Sequence, residues 1–290
     1  MRRYVGVLKA LDTRRGGWTD GAAGSALAGA VTAADPGEKT SRYGAFSSAP
    51  GCTQPATLAV VETNAHGQSV GALVPEWSPR PMPERVELAG RYVTAEPIDQ
   101  RHTDALYASL CRPGDESLWT YRPAPFPTSR AEVEEEVVRA LAARTDSVTQ
   151  VFVPVGGIAS GLATFFPCVP SSGVVEISGV LFGRGMQRTA AATEAIHLLL
   201  RHVFDDLGYR RVEWKCDTLN APSRRAAARF GFTYEGRFRQ HMVIKGRTRD
   251  TDWFSILDSE WPAIRARHER WLDPANFDSD GLQRQGLGSI

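Results

Sequence analysis

From about Arg85 onward the hydrophobic positions fall into recognisable periods. RVELAGRYVTAEPI alternates apolar and polar residues as a strand or hairpin does. Asp99 is placed to cap a helix running to about Leu110, and Thr128 or Ser129 a second one to about Ala143. VTQVFVPVGGIASGLATFFP predicts two strands joined near Gly156-Gly157, and GVVEISGVLF a further strand. The spacing of Ala192, Ile196, Leu199, Val203 and Leu207 gives one apolar stripe on a helix over Thr189–Leu207, with Gly208 as its stop. RRVEWKC then predicts a strand, and Ala221–Phe230 a helix capped by Asn220 and ended by Gly231. FTYEGRFRQHMVIKG with RDTDWFSILD predicts a β-hairpin, and Glu260–Leu272 a last helix.

This order predicts an α/β fold with a mixed (α+β) sheet, folded as one domain over residues 81–275, followed by a flexible tail at 276–290. Residues 1–80 differ in character. They hold eleven of the 27 glycines and runs such as GAAGSALAGAVTAA, with few large apolar residues. Such a segment buries too little surface to offset its chain entropy, so a low-complexity, disordered extension is expected, with one short strand near Thr57–Glu62.

Composition narrows the function classes. The chain has 290 residues, 42% hydrophobic and 23% charged, with a net charge of +1. That balance describes a globular cytoplasmic protein and supplies no basic surplus for nucleic acid. No apolar run approaches a membrane span. Cys52, Cys111, Cys168 and Cys216 are scattered without metal-ligand spacing and read as reduced thiols. Glu194 and His197 do not form HExxH, so no metal is expected. Trp214, Trp253 and Trp261 are expected in the core.

Three stretches carry candidate chemistry. GRGMQRTAAATEA (183–195) reads either as an alanine-rich buried helix start or as a backbone cradle for a phosphate. The second reading rests on the unpaired first-turn N–H groups and the positive end of the helix dipole. In NAPSRRAAARFGF, Asn220 and Ser223 sit where capping residues belong, with Pro222 in the first turn. In GVVEISG, Val175 and Ile177 point to one side of a strand and Glu176 to the other, toward solvent or a cleft. His241 reads as an exposed strand histidine and Cys216 as a buried strand cysteine. No GxxxxGK(S/T) occurs, which excludes a P-loop nucleotide site.

Three blocks in this order resemble the GNAT superfamily of acyl-CoA N-acyltransferases, and within it the RimJ/RimL-like branch of ribosomal-protein acetyltransferases. They are QRTAAATEA, LGYRRVEWKCDTLNAPSRRAAARFGFTYEGRFRQ and GRTRDTDWFSILDSEWP, and the likeness spans residues 85–272. It implies an acetyl-CoA-dependent N-acetyltransferase, monomeric or dimeric. The acetyl group would pass directly to a primary amine in a ternary complex, either a small molecule or a protein N-terminus.

Residue by residue, the resemblance puts the CoA pyrophosphate on Gln187, Arg188, Thr189, Ala190, Ala191 and Ala192. Ala190 stands where the family has glycine. Asn220 and Ser223 would flank the thiol end of CoA, and Ala227 replaces the tyrosine that often protonates the thiolate. Ser223 or water is the implied substitute, tolerable because a thiol pKa of about 8.5 makes thiolate a fair leaving group. Glu176 is implied as the base near the amine, with backbone N–H groups near Ser178–Leu181 polarising the thioester carbonyl. The two departures leave an alternative, a CoA-binding module without catalysis.

Overall fold

The computed structural model describes residues 61–279 and 281–289. The chain divides into two compact units, Met1–Ala72 and Leu73–Ile290. In the described part of the first, β1 (Val61–Thr63) pairs antiparallel with β2 (Ser69–Gly71). The expectation of a disordered extension falls mostly on residues 1–60, which lie outside the described residues; within 57–62, the part described belongs to β1.

The second unit is built on one eight-stranded sheet. Its strands are β3 (Leu88–Ala89), β4 (Val93–Pro97), β5 (Val148–Pro154), β6 (Gly161–Val169), β7 (Val174–Phe182), β8 (Arg211–Asp217), β9 (Thr233–Ile244) and β10 (Arg247–Leu257). The spatial order is β3-β4-β5-β6-β7-β8-β10-β9, and β7–β8 is its parallel pair. The mixed sheet expected from the sequence is therefore present.

Helices cover both faces. On one face α1 (Thr103–Leu110) and a helix over 130–142, α2, pack Leu106, Leu110, Val133, Val137 and Val138 against Val151, Leu162 and Leu181. Asp99 caps the 3-10 turn Gln100–His102 that leads into α1, through a capping box with His102, and the Ser129 hydroxyl caps α2 by accepting from Glu132 N at 3.2 Å. The middle of α2, Val133–Arg139, is π-helical, a detail that apolar spacing does not encode.

On the other face lie α3 (Ala190–Arg201), α4 (Ala221–Phe230) and α5 (Trp261–Leu272). The predicted stripe of α3 is buried: Ala192, Ile196, Leu199 and Val203 all sit in the larger core with Val175, Ile177, Val212 and Trp214. Glu194, on the same helix, accepts the backbone N–H groups of Arg91, Tyr92 and Val93, tying α3 to the β3–β4 turn. That turn needs Gly90, because a Cβ there would lie 2.5 Å from the Glu194 carboxyl carbon.

The β9–β10 hairpin closes through Lys245-Gly246, both at positive φ (50° and 73°), as a two-residue primed turn requires. Residues 276–289, expected to be a flexible tail, make specific contacts. Leu287 is buried, the Asn276 amide donates to Trp271 O, and Trp271 Nε1 donates to the Gln283 side chain at 2.9 Å.

Candidate active site

The site is made by a fork in the sheet. β7 and β8 pair only where Val174–Glu176 face Arg211–Glu213. Beyond that, β7 continues to Phe182 and β8 to Asp217 with no further pairing between them among the described residues. Two unpaired strand arms leave backbone N–H and C=O groups directed into a gap, available to an extended ligand. A bulge at Gly179 (φ 60°) re-aims β7 inside the gap.

Glu176 stands at the crotch of the fork. It is buried, on the face opposite Val175 and Ile177, as strand parity predicts. Lys215 Nζ lies 3.1 Å from its Oε2 and 2.9 Å from Glu213 Oε2. The same ammonium sits 3.8 Å from the centre of the Trp253 ring. Burial pushes the Glu176 carboxyl up to about 7; the Lys215 charge and hydrogen bond pull the other way and do not cancel it. Glu213 is also bound by Arg211, which binds Glu235 in turn, whereas Glu176 has Lys215 as its ion-pair partner among the described residues.

Trp253 was expected in the core. It is half-buried on the open face instead, its ring 4.7 Å from Phe238 and 6.2 Å from His241. β10 runs antiparallel to β8 with Trp253 opposite Lys215, and this register brings the ring out beside the lysine. His241 is exposed, as expected, with Nδ1 3.0 Å from Thr251 Oγ1. Phe238, Arg239, Gln240 and His241 line an open cleft of about 610 Å³ on this side.

At the far end of β7, residues 183–189 lead into α3. Thr189 caps the helix, its hydroxyl accepting from Ala192 N at 3.2 Å. Ala190 is the first helical residue and has no positive φ, so alanine replaces the expected glycine without strain. The left-handed residue is Arg188, at φ 63°. Gln187 braces the loop by donating from Nε2 to Phe182 O at 2.9 Å. Arg184 ties it to the segment after α1 through Asp115, at 2.7 Å. The first-turn N–H groups of Ala190 and Ala191 have no acceptor within an α-helix. With small side chains around them, they and the exposed Arg188 suit a pyrophosphate, so the residues present fit the CoA that the sequence implies.

Asn220 caps α4 as expected, accepting from Ser223 N at 3.2 Å. Ser223 has a partner that the sequence did not signal: its hydroxyl accepts from Trp214 Nε1 at 2.9 Å, on the face opposite Glu176, a bond that packs α4 on the sheet and does not use the Ser223 O–H proton. Ala227, at the tyrosine position, is fully buried. Cys216 is buried and burial raises its thiol pKa, against any thiolate role. Among the described residues no group of three or more His, Cys, Asp or Glu side chains is placed to hold a metal, and no helix is long and apolar enough to cross a membrane.

Strand parity could have found Lys215, since in VEWKCD it must share a face with Glu213. Arg122 carried no signal. It lies between α1 and α2, and its Nη1 donates to Gly179 O at 2.6 Å, reaching the bulge of the fork.

Comparison with known proteins agrees with this geometry. The acetyltransferase (GNAT) domain family model matches residues 93–233. A GCN5-related N-acetyltransferase from Brucella melitensis is 45% identical and superposes with a TM-score of 0.72 over 74% of this chain and 98% of its own. A probable GNAT-family acetyltransferase from Chromobacterium violaceum is 36% identical, with a TM-score of 0.62 over 67% of this chain and 96% of its own. An uncharacterized N-acetyltransferase p20 from Bacillus licheniformis is 33% identical over 90 residues, 31% of this chain; the match spans 50% of that relative's length. The forked sheet, the helix-opening loop and these relatives together make the chain a member of the GNAT acetyltransferase family.

Proposed function

We propose that this protein is an acetyl-CoA-dependent N-acetyltransferase that moves the acetyl group to a primary amine by direct attack in a ternary complex. The observation that carries the reading is the buried Glu176 at the crotch of the fork, on the last residue pair before β7 and β8 separate. The primary amine must lose a proton to react, and its unperturbed pKa is about 8 to 10. A carboxylate at its ordinary pKa is a weak base for that; raised to about 7 by burial, Glu176 is matched to the task.

The other residues take supporting roles. The backbone from Gln187 to Ala192 holds the pyrophosphate and Arg188 adds charge. Asn220 fixes the start of α4 beside the gap. Backbone N–H groups around Ser178–Leu181 lie on the unpaired arm of β7, where they suit a developing oxyanion. With alanine at 227, the departing thiolate takes its proton from Ser223, whose O–H is not used in accepting from Trp214, or from water. The RimJ/RimL-like blocks support a cytoplasmic enzyme of that branch, acting as a monomer or homodimer. The net charge of +1 favours small amines or free protein N-termini over an RNA-rich particle as acceptor.

Thermal shift with acetyl-CoA, CoA and ATP, followed by thiol release over a panel of amines, tests the reading. Stabilisation by the two CoA ligands alone, with acceptor-dependent thiol release, is expected. No stabilisation by either CoA ligand contradicts it; binding without transfer to any amine replaces it with a CoA-binding module.

A further inference from the structure

Cations gather around the gap without anions to match them. The Arg122 guanidinium reaches the Gly179 bulge from the α1–α2 connection, with Nη1 on Gly179 O and its carbon 5.2 Å from the centre of the Trp119 ring. A Cβ built on Gly179 would lie 3.9 Å from both Arg122 Nη atoms and from Thr164 Oγ1. Thr164 pairs with Ser178 across β6–β7, which puts Arg122 on the same face of the sheet as Glu176. Lys245, at the tip of the β9–β10 hairpin, donates to Trp119 O at 2.9 Å, and so converges on the same tryptophan. Arg249, on β10, shares a face with Thr251 and Trp253, and its charge acts on both Glu176 and His241.

Among the described residues none of Arg122, Lys245 and Arg249 makes an ion pair, and the Nε atoms of Arg122 and Arg249 are buried without a hydrogen-bond partner. A structural arginine that only braces a loop spends its buried donors on carbonyls or carboxylates, whereas a half-buried guanidinium that keeps a buried, unpaired Nε is destabilised until an anion arrives. Arg122 and the exposed Lys245, which converge on Trp119, repel each other as well: burial pulls the Arg122 pKa down to about 10, and burial with the charge of Arg122 lowers that of Lys245. The CoA phosphates are not the missing anion, because the α3 N-terminus that suits them lies at the far end of β7 from Glu176.

We infer that the acceptor amine carries a carboxylate on the same molecule, held by Arg122 with Lys245 and Arg249, while Phe238 and Trp253 flank its apolar part. Free amino acids and peptides with an acidic residue next to the N-terminus share that chemistry. The inference rests on the acetyltransferase reading for which group reacts, but the charge site is testable by itself.

The test titrates the full chain, with and without CoA, by tryptophan fluorescence. One arm uses amino acids against their carboxamides; the other uses tetrapeptides with Glu against Gln at the second position. The expected result is at least about tenfold tighter binding of the acid form in one arm, which identifies the source, and loss of that preference in Arg122→Gln with CoA affinity unchanged. Lys245→Gln, on an exposed turn, should reduce the preference about threefold and serves should Arg122→Gln not fold. Equal binding of acid and amide forms in both arms overturns the inference. So does an Arg122→Gln that keeps the preference or loses CoA instead. Failure of CoA to bind would sink the acetyltransferase reading separately, since the acid preference is still read on the free protein.

Discussion

Arg188, rather than Ala190, carries the backbone strain of the loop that opens α3. A non-glycine residue in the left-handed region is destabilised by about 1–2 kcal/mol, and glycine there would give back part of that gain through its larger unfolded-state entropy. Arg188→Gly should therefore raise stability by about 0.5 kcal/mol net, seen as a small rise in Tm. It should also weaken CoA binding several-fold, because the guanidinium is lost. A drop in Tm would mean that the Arg188 side chain stabilises the loop beyond its backbone cost. At this scale the sequence was informative about identity and blind to conformation. QRTAAATEA located the loop, but no pattern of residue types says which of Gln187, Arg188 or Ala190 takes the positive φ. The Ser223–Trp214 bond was hidden for a related reason: a serine two places into α4 has several partners within reach, and only the packed position of Trp214 selects one.

At the scale of elements, the chemistry depends on where β8 lies relative to β7. Periodicity predicted both strands and the faces of Glu176, Trp214 and Cys216, since alternation is local. Their parallel pairing and its three-residue extent depend on how α3 crosses the sheet, which is not local, so the Glu176–Lys215 contact could not be read in advance. That contact has a measurable consequence. The Lys215 charge and hydrogen bond favour ionised Glu176 against the larger effect of burial. Lys215→Met should leave burial opposed only by the weaker charge of Arg249 and move the acidic limb of the activity profile upward by a pH unit or more. Activity at pH 7 should fall about tenfold, as a base protonated most of the time would give. An unmoved limb with normal CoA binding would show that Lys215 does not control Glu176. The β9–β10 hairpin, legible from its sequence, supplies Trp253 and His241 to the same face; the exposure of Trp253 was not legible because tryptophan alone says nothing about which side of a sheet is covered.

Across the whole molecule, buried titratable groups of opposite tendency set the response to acid. His197 and His268 lie between α3 and α5, with rings 5.6 Å apart and Trp261 beside them. Burial depresses them to about 4 and about 3. Between those values and the unfolded value of 6.5 the unfolded chain binds more protons, so both groups make stability rise with pH and fall on acidification from 6.5 downward. Glu176 acts with the opposite sign. Its folded pKa is raised from 4.5 to about 7, so the folded state holds the proton longer and stability falls as pH rises through that window. Two histidines outweigh one glutamate, and urea midpoints should drop as pH falls from 6.5 to 4.5. His268→Gln should nearly abolish that drop, because His197 and Glu176 then offset each other, and an equally steep drop would remove the pair from the account. The central claim is that Glu176 is the base, and the pH dependence of kcat/KM for wild type and Glu176→Gln on one amine tests it most directly, because the ratio of the two cancels the ionisation of the acceptor. The account predicts a ratio that climbs with pH and levels near 7, with the variant slower by about 10²–10⁴-fold and acetyl-CoA affinity unchanged. A ratio that stays flat and close to unity across the range would contradict it.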